Sequence, residues 1–491
     1  MVNLSIPLNG LKKAEGKNTM QRKWIFIKNC LMIFSILVFS QHAFADKDET
    51  YECLKLFTDI ISLVEDNYVD TVNTKELIHS AIQGMIRSLD PHSSFMPPEA
   101  FEELQIDTHG EFGGIGIVIT MKKGILTVVS PIEGTPAYRK GIQAGDRIIQ
   151  VDGESTKEME MWEAVKKMRG KKGSSVVITI SRDGEDKPFD VEIIRDIIPI
   201  ESVRSASLGE GYGYIWVTNF REKTVDEIIE ALDELKLKTN QFKGLILDLR
   251  DNPGGLLDQA VKLVDLFIDE GNIVSIKGRS EENTKEFNAH RDNTESDYPM
   301  IVLINSGSAS ASEIVAGALQ DHKRALILGI TSFGKGSVQT VEPLRDGYGL
   351  KYTIARYYTP NGRSIQAQGI IPDITVSSRY IKLKQDDAHL PKVIKEKDLK
   401  NHLEAEPQAP QFEDYDDDNN ESEPNVKQNP PESKKIKERQ KRQTMRHGKI
   451  RTEDLLSDYQ VARALDILKG YEILNMFHEN ASQIDESVNE E

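Results

Sequence analysis

The chain has 491 residues, long enough to bury several cores, and its 38% hydrophobic and 29% charged residues make an ordinary soluble balance apart from a polar tail. A formal net charge of -17 argues against a nucleic-acid partner, because phosphate binding needs a concentrated basic surface and the only lysine/arginine run, near 434–451, lies in low-complexity sequence. With two cysteines, Cys30 and Cys53, no disulfide framework holds the chain together.

Residues 1–45 read as an export signal. Lys12, Lys13, Lys17, Arg22, Lys23 and Lys28 precede the apolar run CLMIFSILVF at 30–39, and AFA at 43–45 supplies a small-residue cleavage site. Met20 is an alternative start, since MQRKWIF alone gives a shorter basic region. The apolar run is short for a membrane span, yet left uncleaved it would tether the protein to a membrane. The expectation is an exported protein of the cell envelope, in the periplasm or anchored to the inner membrane.

Residues 46–97 read as helices, with Leu54, Phe57, Ile60, Ile61 and Val64 at helical spacing, then Leu77, Ala81, Ile82 and Leu89. Cys53 falls on the first apolar face and is read as a core cysteine. LDPHSSFMPP breaks the pattern; His92 there is read as a turn residue, because no second metal ligand sits at a workable spacing.

Between 98 and 198 the texture turns to short β runs separated by glycine turns. GIGIVIT and GILTVVS pair as strands, GTPAYRKGIQAGDRIIQVDGE gives a short helix, a turn and a strand, MEMWEAVKKMRG is a helix, and SSVVITISRDG leads into FDVEIIR. This order resembles a PDZ domain, and Gly114-Ile115-Gly116-Ile117 matches the loop that holds a peptide's C-terminal carboxylate in such domains. The physics fits: closely spaced glycines let backbone N–H groups converge on an anion while a peptide strand adds to the sheet edge.

Residues 199–380 alternate strand and helix: YGYIWVT, a helix opened by a Thr224/Glu227 capping box, GLILDLR, LLDQAVKLVDLFI, MIVLINS, SEIVAGALQ and ALILGI. Such alternation predicts a mostly parallel sheet covered on both faces, with a polar insert at about 277–298 that caps the site. Residues 381–451 read as a charged low-complexity linker, and Leu455, Leu456, Tyr459, Ala462, Leu465 and Leu468 predict a C-terminal helix within 452–491 that docks on the body or on a partner. The fold class is therefore α/β multidomain: N-terminal helices, a PDZ-like β-rich domain and an α/β core.

In such a sheet, function belongs at the carboxyl ends of the strands. Asp251-Asn252-Pro253-Gly254-Gly255 follows one strand, and Gly307-Ser308-Ala309-Ser310-Ala311-Ser312-Glu313 follows another and opens a helix. A serine at a strand-to-helix turn projects its hydroxyl, and backbone N–H groups at the helix start and in the diglycine can face an oxyanion. That is a constellation for acyl transfer, and it needs a base. His322 ends the helix after the serines and points away; His290, in the polar insert, stays open. Lys335 follows the next strand, and an apolar setting with Phe333 would keep its amine uncharged, with Gln339 placed to orient it.

Gly329 to Lys335 has the glycine spacing of a phosphate loop, but Gly336 stands where a magnesium-binding hydroxyl belongs and the next residues are β-branched, so no nucleotide is expected. Ser332 with Lys335 makes an S-x-x-K pattern, which needs one helix rather than a glycine-broken turn.

GLILDLRDNPGGLL, GSASASEIVAGALQD, SFGKGSVQT and KYTIARYYTPNGRSIQAQGIIPDI resemble the C-terminal processing peptidases, or tail-specific proteases, and the resemblance extends from the N-terminal helices to about residue 376. It implies a serine endopeptidase with a Ser-Lys pair and an assisting glutamine, which fall on Ser310, Lys335 and Gln339. The oxyanion hole would use the Ala311 amide and that of Gly254 or Gly255. Implied partners are proteins or peptides with exposed C-termini and a second copy of the chain through the apolar N-terminal helices; no metal or other cofactor is implied. The charged insertion before the last helix departs from the family pattern. The alternative is a PDZ-bearing scaffold of the same fold that has lost activity.

Overall fold

The computed structural model describes residues 49–122, 124–291, 294–295, 298–377, 394–405 and 452–489, with side chains to 477. Residues 1–45, read as a signal, and most of residues 381–451, read as a linker, lie outside the described residues. The chain divides into two compact units, Met1–Met85 and Ile86–Glu491.

In the first unit, helix α1 (49–67) is followed by α2 (Thr74–Arg87), which ends just past the unit boundary. The expected helical periodicity forms, but the stripe stays open: Leu54, Phe57 and Ile60 are exposed. Cys53 is also exposed, so the core reading was wrong; an apolar face that no described residue covers leaves its cysteine exposed.

The second unit opens with β1 (Ser94–Met96), α3 (Pro98–His109) and β2 (Glu111–Gly114). Pro98 starts α3 where its missing N–H costs nothing, and Gly110 stops it at φ 74, donating to Ile106 O. The β-rich module contains β3 (Ile117–Lys122), β4 (Ile125–Pro131), α4 (Pro136–Arg139), β5 (Arg147–Val151), β6 (Glu154–Ser155), α5 (Met161–Met168), β7 (Ser175–Ser181) and β8 (Phe189–Ile194). They form an antiparallel sheet in the order β3-β4-β5-β7-β8, with β6 on β5. In β7 alternate residues Val176, Ile178 and Ile180 enter a core with Leu126, Val128, Ile148 and Ala164, as a two-residue period requires. The return strand β9 (Asp196–Pro199) pairs with β2.

The α/β core then runs β10 (Val203–Gly209), β11 (Tyr212–Val217), α6 (Thr224–Leu237), β12 (Gly244–Asp248), α7 (Leu257–Asp265), β13 (Asn272–Gly278), β14 (Lys285–Asn288), β15 (Met300–Ile304), α8 (Ala311–Asp321), β16 (Leu326–Gly329), β17 (Ser337–Pro343), β18 (Gly349–Tyr358) and β19 (Ile374–Thr375). The main sheet has the order β10-β11-β12-β15-β16-β19 and is parallel except for β10. Both central strands, β12 and β15, are buried along their whole length.

One face packs on α6, α7 and α8. On the other lie Leu455, Val461, Ala464, Leu465 and Leu468 of the C-terminal helices α9 (Thr452–Leu456) and α10 (Tyr459–Asn489), against Tyr212, Tyr214, Ile246, Leu303 and Leu328. The C-terminal helix therefore docks on the body. A second sheet, β1-β18-β13-β14 with β17 on β18, is antiparallel throughout.

Two local expectations change. The insert at 277–298 begins inside β13 and turns through Glu281–Asn283 into β14, so its first half is a hairpin of the second sheet. The Thr224/Glu227 capping box does not form: Lys223 is the N-cap, and Glu227 Oε2 instead accepts the N–H groups of Ser202 and Val203. A carboxylate able to tie down a strand does more there than at its own helix end.

Candidate active site

Ser310 sits where β15 gives way to α8, as the N-cap residue with φ 55 and ψ -114. A left-handed φ is strained for a side chain with a Cβ and persists only where neighbours over-determine it. Here they do. Glu313 Oε2 accepts the Ser310 N–H at 2.8 Å, and the Glu313 N–H donates to Ser310 O at 2.8 Å. The flanking serines strap the turn to the loop after β12: Ser308 Oγ donates to Leu249 O at 2.8 Å and Ser312 Oγ to Asn252 O at 2.9 Å. Ser310 itself is nearly inaccessible, and its hydroxyl interacts with that of the buried Tyr357, whose pKa burial pushes up to about 12 against this contact.

The diglycine lies directly against this turn. A Cβ on Gly254 would stand 2.9 Å from Ser310 Cβ and 3.0 Å from Ala311 N, at a φ of 103. The Gly254 N–H is already committed to Asn252 Oδ1 at 2.9 Å. Those of Gly255 and Ala311 find no hydrogen-bond partner among the described residues. Of the two glycine amides, that of Gly255 is the one left without a hydrogen bond to a described residue.

Lys335 occupies the turn between β16 and β17. Gly334 and Lys335 donate their N–H groups to Glu313 Oε1 and Oε2 at 2.7 and 2.9 Å, and Gly336 donates to Gln366 Oε1 at 2.9 Å. Glu313 therefore takes hydrogen bonds from both the serine turn and the lysine turn, with Ser332 Oγ as its fourth donor. Complete burial nevertheless pushes its pKa up to about 7, against those four bonds. Burial also lowers the Lys335 pKa, assisted by the charge of Lys351 and opposed by Glu396, Glu313 and Asp90.

The Lys335 amine has no hydrogen-bond or ion-pair partner among the described residues, Ser310 included. Gln339 is on β17 as expected, but its amide donates to Ser337 Oγ at 2.8 Å and Thr353 Oγ1 at 3.3 Å rather than reaching the lysine. The histidines are engaged elsewhere: His290 Nδ1 with Asp265 at 3.3 Å, and His322 Nε2 with Asn272 O at 2.7 Å. Tyr357 and Gln366 lie within the KYTIARYYTPNGRSIQAQGIIPDI stretch that carries the resemblance, but sequence reading gave neither a role. Glu313 was visible only as a helix-starting residue.

In the β-rich module, Gly114 ends β2 and Ile117 begins β3, with Ile115 buried between them and Gly116 at φ 79. A Cβ on Gly116 would overlap Thr135, whose hydroxyl donates to Gly116 O at 3.0 Å. β3 is the terminal strand of its sheet.

Residues 211–376 match the family model for peptidase family S41, residues 113–193 a PDZ domain and residues 37–100 the "Activating protease CtpB N-terminal domain". A carboxy-terminal-processing protease of Bartonella bacilliformis is 46% identical over 73% of this chain and 83% of its own length. The chain belongs to peptidase family S41. It is a serine-type peptidase carrying a PDZ domain, related to the carboxy-terminal processing proteases. CtpA of Bacillus subtilis, a further member so named, is 39% identical over 66% of this chain and 69% of its own length. Among solved structures, the chain is similar to a photosystem II D1 C-terminal processing protease at 31% identity, covering 66% of this chain and 92% of that one with a TM-score of 0.38.

Proposed function

We propose that this peptidase is exported to the cell envelope, takes up the C-terminal tails of protein substrates through its PDZ domain, and cleaves their peptide bonds with Ser310 as nucleophile and Lys335 as base. The observation that carries this reading is Glu313, one buried carboxylate gripping the backbone of both turns. Ser310 Oγ attacks the scissile carbonyl while the uncharged Lys335 amine accepts its proton and later protonates the leaving amine; water then releases the acyl-enzyme. The N–H groups of Ala311 and Gly255 stabilise the oxyanion, and Gln339 lies beside the route rather than on the amine. The unbonded Ser310–Lys335 pair fits a resting arrangement that tightens when substrate binds, as catalytic hydrogen bonds commonly do.

The tail of a substrate would extend along β3, its carboxylate held by the loop Gly114-Ile115-Gly116-Ile117. The open apolar stripe of α1 suits pairing with a second copy of the chain. Segments 1–45, 46–97, 98–198, 199–380, 381–451 and 452–491 then serve as signal, dimerisation helices, tail-binding domain, peptidase core, linker and sheet-covering helix. No described helix is long and apolar enough to cross a membrane.

The test compares wild type with Ser310→Ala and Lys335→Ala on an unfolded protein substrate. Loss of cleavage in both, about 100-fold or more, with tail-peptide affinity unchanged is the expected result. Undiminished cleavage in either variant overturns the dyad; a wild type that binds tails and cleaves nothing would make the protein a scaffold.

A further inference from the structure

Residues 394–405 lie beyond the stretch matched by the peptidase model, yet they return to the catalytic core. Glu396 is wholly inaccessible. Its N–H donates to Phe333 O at 3.3 Å, two residues before Lys335. Its carboxylate faces His92 Nε2, 2.8 Å from each oxygen, and accepts Gln366 Nε2 at 3.1 Å. Gln366, also inaccessible, uses its other end to accept the Gly336 N–H at 2.9 Å and is further fixed by donating to Leu403 O at 3.0 Å. A continuous chain of bonds thus runs from His92 through Glu396 and Gln366 to the peptide that follows Lys335.

The other end of this chain is equally tied. Asp90 accepts the N–H groups of His92 and Ser93 at 2.8 and 2.9 Å and the Ser93 hydroxyl at 2.7 Å. Ser93 Oγ in turn accepts the Thr353 N–H at 3.3 Å, and Thr353 Oγ1 accepts from Gln339. Burying a carboxylate and a carboxamide costs free energy unless every polar atom is met. A surface loop without a role at the site has no need of that cost.

We propose that Glu396 is a positioning residue for Lys335: paired with His92, it braces Gln366 against the Gly336 peptide and so fixes the lysine turn at a peptide that Glu313 does not hold. This rests on Lys335 being the base. The lysine turn is then held by two carboxylates, one from the nucleophile helix and one from a segment following the peptidase domain. The second clamp comes from outside the stretch matched by the peptidase model. The negative charges of Glu396, Glu313 and Asp90 and the positive charge of Lys351 all act on the Lys335 amine, so loss of Glu396 also changes the pH at which that amine is neutral.

The experiment uses the full-length protein, with Glu396→Ala, Glu396→Asp and Glu396→Gln measured beside Lys335→Ala. Steady-state cleavage of an unfolded protein is followed from pH 6 to 10, with thermal unfolding in parallel. Glu396→Ala is expected to lower kcat about 10- to 100-fold with KM within about twofold, a positioning loss rather than a binding loss. Its acid limb in kcat/KM moves to lower pH, since a charge favouring the ammonium form is gone, and Glu396→Asp recovers part of kcat. Should Glu396→Ala fail to fold, Glu396→Gln, which keeps an acceptor for Gln366 but loses the charge, is held to the same limb shift with a smaller loss of kcat. A lowered Tm with kcat and the acid limb unchanged overturns the proposal and leaves Glu396 merely structural. Active Lys335→Ala would instead overturn the base assignment, whatever Glu396 does; inactive Lys335→Ala beside wild-type-like Glu396 variants would sink only the clamp.

Discussion

At the scale of single residues, the site is governed by two buried ionisable groups pushed toward neutrality from opposite sides. Desolvation holds the Lys335 pKa down, and Glu313 is raised to about 7 by burial. The proposed base must be uncharged to accept the Ser310 proton, so kcat/KM should rise with pH along a limb whose midpoint lies below the ordinary lysine value. Lys351 provides the test, because its charge is the second cause of the depression after burial. Removing that charge in Lys351→Gln weakens the depression, raises the Lys335 pKa and moves the acid limb to higher pH, opposite in sign to the Glu396→Ala shift. A pH–rate profile on each variant reads the sign directly. A limb that stays fixed in Lys351→Gln would belong to another group, with Glu313 the first candidate.

At the scale of elements, the site is three turns at adjacent strand ends, brought together because β15 lies between β12 and β16 in the parallel sheet. The close approach of Gly254 to Ser310 Cβ and Ala311 N makes that glycine the contact point of loop and helix. Gly254→Ala has to displace the Ser310 turn or the loop, and it places a Cβ at a left-handed φ. A fall in kcat of about 100-fold or more, with affinity for a tail peptide unchanged, is expected from steady-state kinetics and peptide titration.

The strands and helices of this sheet were legible because their apolar periods are local. The antiparallel second sheet was not, since β1 and β13 both pair with β18 across long stretches of chain. The same reason divides the site. Ser310 and Lys335 stood in motifs, whereas the role of Glu313 depends on backbone N–H groups of Gly334 and Lys335, which leave no mark on residue type. His92 and Glu396, 304 positions apart, share no spacing at all.

At the scale of the whole molecule, the C-terminal helices complete the core although they lie far outside the peptidase match. Five apolar side chains from α9 and α10 cover the second face of the main sheet, and burying each of the four larger ones, Leu455, Val461, Leu465 and Leu468, contributes about 1.5–3 kcal/mol. Their sum is comparable to the whole stability of a typical domain, about 5–15 kcal/mol. The helices also reach the chemistry: Arg250, one residue before the diglycine loop, donates to Asp248 at 2.6 Å, to Asp458 at 3.0 Å and to Gln460 at 2.7 Å, while Tyr214 donates to Asp248 at 2.7 Å. Burial disfavours the guanidinium charge, but the surrounding carboxylates outweigh it and hold the Arg250 pKa well above its usual value. Asp248 still compensates Arg250 when the partly exposed Asp458 is lost, so that loss costs less than the about 3–5 kcal/mol of an orphaned buried charge. A chain ending at residue 451 is therefore expected to lose cooperative thermal unfolding, to bind an apolar dye and to lose cleavage. Asp458→Asn separates the two roles: the apolar cover remains, so Tm should change little beside the truncation, while kcat falls as the loop before Gly254 loosens. Wild-type unfolding and cleavage in the truncated chain would mean that the sheet face is stable uncovered and that Arg250 positions nothing.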